Sequence, residues 1–286
     1  MIQITNDKLA VIINEKGAEL QSIQLNNIEY LWQADAAYWS KHSPVLFPIV
    51  GELKDGEYFF RDKKYKLSRH GFARDKTFEA QQLSPSSAVF TLRSSPETLE
   101  LYPFHFTFRV EYAIEDSTLS CTYHVENISG DDVYFSVGGH PAFSVPLMKG
   151  LQYTDYFLEF NNDTVLTRHL LHKGLIADNT EQVILFNKTL QLKQSLFYTD
   201  AIVLKHIKSN EIKLYTEKDA HGLTFRFDGF PYFGIWAAVD APFVCLEPWC
   251  GIADGIHHDH QLEHKEGINK LAAGEHWKRT WSVELF

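Results

Sequence analysis

From residue 104 to 112 the apolar side chains Phe104, Phe106, Phe108, Val110 and Tyr112 alternate with His105, Thr107, Arg109 and Glu111. A period of two puts one set on each face of an extended chain. The stretch predicts an antiparallel strand with one face in the core. Shorter runs rich in β-branched and aromatic residues recur at 9–13, 20–25, 119–125, 133–137 and 157–160. They return at 183–186, 201–207, 211–216, 223–227, 233–239 and 277–286, separated by short polar turns. Helical patterning is sparse. Residues 34–41 could make about two turns and 259–266 one or two. The Ser- and Pro-rich stretch 83–96 reads as a surface loop or irregular edge strand.

Strands do not alternate with helices, so a parallel Rossmann or barrel architecture is not expected. The pattern predicts an all-β fold, a large antiparallel β-sandwich with few short helices. With no repeat, linker or low-complexity tract, residues 1–286 are expected to form a single domain, a length that all-β folds reach as one unit.

Composition narrows the partners. Hydrophobic residues make up 44% of the chain, enough for a sizeable core and unlike disordered sequences. The formal net charge is −10, which argues against nucleic acid or an anionic membrane, since both are bound through clustered Lys and Arg. The first residues lack a basic stretch leading into an apolar run, and no segment is apolar enough to cross a bilayer. A cytoplasmic protein is expected. Cys121, Cys245 and Cys250 have no zinc-knuckle or redox spacing and read as reduced, structural thiols.

Three islands carry residues suited to chemistry. In Arg69-His70-Gly71-Phe72-Ala73-Arg74, cationic and imidazole donors flank a glycine that lets backbone approach a ligand; a surface turn with a salt bridge fits the same residues. In Gly138-Gly139-His140-Pro141, an imidazole follows a strand, and Pro141 biases His140 towards extended backbone. Its pKa near ~6.5 suits proton transfer at neutral pH, although a structural histidine also fits such a turn. In Val244-Cys245-Leu246-Glu247-Pro248-Trp249, one carboxylate interrupts an apolar run. Desolvation would raise its pKa into the range of a general base, and a hydrogen-bonded structural carboxylate is the competing account.

A fourth cluster, His257 to His264, places His260 and His264 four residues apart, on one face if helical. It lacks the H-E-x-x-H order and an identifiable third ligand. No nucleophile elbow, phosphate loop or dinucleotide fingerprint is present.

Taken in order, Leu46-Phe47-Pro48-Ile49-Val50-Gly51, His70-Gly71-Phe72-Ala73-Arg74, Gly138-Gly139-His140-Pro141-Ala142-Phe143 and Cys245-Leu246-Glu247-Pro248-Trp249-Cys250-Gly251 resemble the aldose 1-epimerase family, more narrowly its LacX-type branch, over nearly the whole chain. The resemblance implies a galactose mutarotase-like supersandwich with no metal and no cofactor. It implies His140 as general acid, Glu247 as general base, and His70, Arg74 and Asp200 as sugar-binding residues. The expected partner is an aldohexose, phosphorylated in one branch of the family. The rival reading is a non-catalytic carbohydrate-binding module in which Trp32, Trp236 and Trp249 stack on a sugar ring.

Overall fold

A computed structural model describes all 286 residues. Two large antiparallel sheets organise the chain. One has nine strands in the spatial order Thr189–Gln191, Tyr156–Phe160, Glu211–Thr216, Leu223–Arg226, His276–Leu285, Thr118–Asn127, Phe106–Glu115, Ser87–Arg93 and Glu79–Ser84. The other runs Leu175–Ile184, Val165–His172, Ile202–Lys205, Tyr232–Trp236, Phe243–Cys250, Val137–Gly139 and Val45–Leu46, with Ala142–Ser144 also paired to Phe243–Cys250. A smaller four-stranded sheet is built from residues 2 to 29.

The alternation explains how the two large sheets meet. Phe104, Phe106, Phe108, Val110 and Tyr112 are almost completely buried, and Phe108 stacks on Phe47 with ring centroids 4.3 Å apart. Phe225 of one sheet packs on Phe233 of the other at 6.1 Å and stacks on Trp281 at 5.1 Å. Such aromatic contacts join the two inner faces into one continuous core of 73 residues. The opposite face of the second sheet carries a separate cluster of nine buried residues. The cavity described below opens there.

The two helical expectations fail locally, and one polar stretch takes the strand alternative. Residues 34–41 form only a turn, because Ala34 takes a left-handed φ of 54° and the indole N–H of Trp32 claims the Trp39 carbonyl at 2.9 Å. Residues 83–96 follow the irregular edge-strand alternative rather than the loop. Glu79–Ser84 and Ser87–Arg93 form a hairpin at the edge of the nine-stranded sheet, and the one α-helix, Pro96–Leu101, follows it behind a Ser95 cap. Within 259–266 only a 3-10 turn forms, Leu262–His264.

Candidate active site

The second sheet positions the catalytic candidates through three neighbouring strands. Phe243–Cys250 lies between Tyr232–Trp236 and Val137–Gly139. Along it Glu247 and Trp249, two residues apart, point to the same side. Val137–Gly139 ends at His140, whose backbone N–H donates to the Pro44 carbonyl at 3.1 Å. Gly139 is required because a Cβ there would lie 2.8 Å from the Tyr123 hydroxyl and 3.1 Å from Trp281 Nε1.

His140 Nε2 and Glu247 Oε2 are 3.2 Å apart, with Glu247 2% exposed. The contact lacks ordinary hydrogen-bond geometry, and neither Glu247 Oε2 nor His140 Nδ1 has another partner. The imidazole is clamped by aromatic rings. Trp39 stacks on it at 5.0 Å and 29°, Trp236 meets it edge-on at 5.6 Å, and the His70 ring stands across it at 5.9 Å.

Burial dominates the proton affinities. Desolvation raises Glu247 well above the usual carboxylate range, opposed by the Arg69 charge. It lowers His140 to about 3, with Arg69 and Arg74 pushing the same way. Both directions favour the uncharged forms, a carboxylic acid beside a neutral imidazole with Oε2 and Nε2 3.2 Å apart.

The turn carrying His70 crosses the cavity from the pair. His70 and Gly71 both have left-handed backbone, φ 67° and 72°, and a Cβ on Gly71 would lie 2.4 Å from the Phe47 carbonyl oxygen. The Gly51 N–H donates to His70 Nδ1 at 3.1 Å. Burial keeps this ring neutral, and a neutral imidazole has one acceptor nitrogen. Nε2 therefore carries the proton, and Arg69 Nε at 3.3 Å from it is a contact, not a second hydrogen bond. Arg74 is held by its Nη2, which donates to the Arg69 carbonyl at 2.8 Å, while its Nε is buried without a hydrogen bond, 3.7 Å from Asp75 Oδ2.

All five predicted site residues, His70, Arg74, His140, Asp200 and Glu247, line one cavity of about 360 Å³, a volume suited to a small molecule. Asp200 is set from behind by buried Arg168, whose Nη2 donates to the Asp200 carbonyl at 2.7 Å. Trp236 and Trp249 also line the cavity, but Trp32 does not; it packs on Phe243 at 4.9 Å. Trp39 takes that place, and Lys41 joins the wall. Neither was singled out from sequence, where a supposed helix hid them. The available signal was an aromatic pair, Tyr38-Trp39, in a polar stretch without periodicity.

The histidine-rich cluster is dispersed. His257, His258, His260 and His264 contact Asp178, Asp254, Asp55 and Asp259 respectively. His260 and His264 share no helix face. The grouping with metal-ligand chemistry is instead His140, Cys245 and Glu247, whose donor atoms lie within 4.8 Å of one another. The neighbouring Arg69 and Arg74 charges oppose a cation there.

The sandwich thus presents an imidazole–carboxylate pair in an aromatic-walled cavity sized for a small molecule. Known proteins of similar sequence and structure identify the family. The family profile described as aldose 1-epimerase matches residues 1–282. A protein named LacX from Lactococcus lactis subsp. lactis is 32% identical, over 99% of each chain. A structure described as a galactose mutarotase related enzyme, from Lactobacillus acidophilus, superimposes with a TM-score of 0.94 at 34% identity, covering 100% of this chain and 97% of that one. A galactose mutarotase-like protein from Lactobacillus casei gives 0.92 at 32% identity, with full coverage of both chains. The chain belongs to the aldose 1-epimerase family, and its fold is the galactose mutarotase-like sandwich. No helix is long and apolar enough to cross a membrane.

Proposed function

We propose that the protein interconverts the α and β anomers of an aldohexose, with Glu247 as general base and His140 as general acid. The observation that carries this reading is the 3.2 Å separation of His140 Nε2 and Glu247 Oε2 at the cavity. The C1 hydroxyl and the ring oxygen are bonded to the same carbon, so an acid and a base acting on both must converge within a few ångströms.

Ring opening needs one proton removed from the C1 hydroxyl and one delivered to the ring oxygen. Glu247 takes the first and His140 gives the second; rotation about C1–C2 and the reverse transfers complete the exchange. The pair starts as carboxylate and imidazolium and ends as carboxylic acid and imidazole, so its proton count never changes. The starting form arises from the resting pair by one proton shift across the contact, aided by the Arg69 charge and by sugar hydroxyls donating to Glu247. His70 Nε2–H, Arg74 and Asp200 hold the ring while C1 remains free to turn.

This reading sets the pH dependence. Activity requires one proton on the pair, so it falls when a second is gained and when the last is lost. With His140 lowered to about 3, the acid limb of kcat/KM is expected well below the ~6.5 of a free imidazole. With Glu247 raised, the alkaline limb is expected above the usual carboxylate range.

A phosphorylated aldose is the second reading. Lys41, Arg69 and Arg74 put three cationic side chains on the wall, opposed by Asp200 and by Glu247, whose charge burial disfavours, a balance that favours an anionic substituent. Following the approach to anomeric equilibrium by NMR for α-D-galactose, α-D-glucose and α-glucose 6-phosphate tests both. Acceleration is expected for at least one sugar. A higher kcat/KM for the phosphate ester selects the second reading, and failure with all three, with sugar binding retained, leaves a carbohydrate-binding module.

A further inference from the structure

We propose that Trp249 is the positioning residue for Glu247, its indole N–H holding the ionised carboxylate from a seat that two glycines open in the sheet. The catalytic consequence rests on the epimerase reading above, whereas the contact itself does not.

The seat is specific. Trp249 pairs with Gly138 on one neighbouring strand, and Gly234 pairs with Glu247 on the other. A Cβ on Gly138 would lie 2.6 Å from Trp249 Cδ1, and one on Gly234 would lie 2.5 Å from Cζ2 and Cη2. The indole therefore spans three strands and lies against both glycines, which fixes its direction. Packing alone does not account for the result, because Trp249 is 7% exposed and its Nε1 is buried with no hydrogen-bond partner. Buried indole N–H groups normally have one.

The unsatisfied acceptor beside it is Glu247, two residues back on the same face, whose Oε2 is also without a hydrogen bond. The indole already favours the ionised carboxylate while falling short of ordinary hydrogen-bond geometry. The other groups facing Glu247 are His140 at 3.2 Å, the Cys245 thiol on its own strand, and Arg69 and Asp200 from the facing walls. His70, Arg74 and Lys41 lie further round the cavity. Of these only the Cys245 thiol is a neutral donor on the carboxylate's own strand, and an S–H donates weakly, so Trp249 is the stronger group that can stabilise the charge without contributing a proton.

Removing the donor while keeping an aromatic ring shifts the shared proton towards Glu247. The reactive carboxylate–imidazolium form becomes rarer and the pair holds its last proton more tightly. Uptake of the second proton, which goes to His140, is unaffected.

The test is an infrared titration of the protonated carboxyl band without sugar, assigned to Glu247 by its loss in Glu247→Gln. In Trp249→Phe the midpoint is expected to rise by about one pH unit, a tenfold change in proton affinity. With substrate, kcat should fall roughly tenfold with a smaller change in KM, and the alkaline limb should move up while the acid limb stays. Gly234→Ala, which keeps the indole but presses it off its seat, should shift the band in the same direction. It decides the matter if Trp249→Phe fails to fold. A band midpoint unmoved in the folded variant, with losses confined to KM or Tm, overturns the proposal and leaves Trp249 as cavity floor. Absence of anomer exchange in the wild type overturns the epimerase reading while the infrared result stands by itself.

Discussion

Glu247→Gln is expected to lower kcat for anomer exchange by about 10²- to 10⁴-fold, the usual contribution of one positioned acid–base group, with sugar affinity nearly retained. The amide is close to the carboxyl in volume, and burial already favours the uncharged carboxyl, so the variant enters the same buried space with little new charge imbalance. What it loses is the ability to accept the C1 proton. His140→Ala should fall by a similar factor, and the double variant by little more than either single one, because the two transfers belong to one step. Saturation-transfer NMR gives the exchange rate, and titration calorimetry gives the affinity. If Glu247→Gln retains wild-type exchange, the acid–base assignment fails. If it loses binding and turnover together, Glu247 is a recognition residue and the carbohydrate-binding reading gains.

The largest effect on stability is expected from Lys265→Met. Lys265 Nζ donates to Asp254 Oδ1 at 2.8 Å with both side chains fully buried. Asp254 also accepts the Lys54 N–H at 2.9 Å and faces His258 Nδ1 at 3.3 Å. Burial lowers the Lys265 pKa, and Asp254 pulls it back up. Removing the ammonium strands a carboxylate in the interior, and the cost expected is about 3–5 kcal/mol, read as a lower urea midpoint at unchanged slope. Adding Asp254→Leu should cost much less than Asp254→Leu does alone, because the pair is already broken. The main chain of Asp254 ties neighbouring segments together, its N–H to the Glu52 carbonyl and its carbonyl to the Ile176 N–H. These bonds fix Ile252 and Ala253 in the cavity wall, so Lys265→Met should also raise KM. An additive double variant would show that the two charges are not coupled.

Much of the sandwich was legible because its strands bury one face and wet the other. The run from Phe104 to Tyr112 and the strand Glu211–Thr216 stand where alternation puts them. The hairpin of Val165–His172 and Leu175–Ile184 was largely hidden. Its outer strand carries Asp178, Asn179, Thr180, Glu181 and Gln182 in succession, all exposed, so backbone pairing and polar side-chain contacts hold this stretch and leave no apolar rhythm. The hairpin near residue 85 was read only as a loop or an irregular edge strand, because its outer strand Glu79–Ser84 is polar and mostly exposed although Ala88, Phe90 and Leu92 of Ser87–Arg93 alternate into the core. The turn at 34–41 misled in the opposite sense, since its helix-compatible residues are overruled by indole contacts with distant parts of the chain. Within the site, His140 and Glu247 stood out as polar residues in apolar or Gly/Pro settings. That they meet could not be read from spacing, because the pairing of their strands is a property of the sheet. Trp39 and Trp249 illustrate the remaining limit: an indole looks the same in sequence whether it fills a core, clamps an imidazole or directs a donor.

The strand His276–Leu285 lies in the middle of the nine-stranded sheet, between Thr118–Asn127 and Leu223–Arg226. During synthesis the two halves of that sheet emerge first and have no direct pairing with each other, so the sheet closes only after residues 276–285 have left the ribosome. Contacts of such large sequence separation make for slow folding. Recovery of activity after dilution from denaturant should therefore trail recovery of strand content, and ribosome-stalled chains ending before residue 276 should bind early-acting chaperones yet show no turnover.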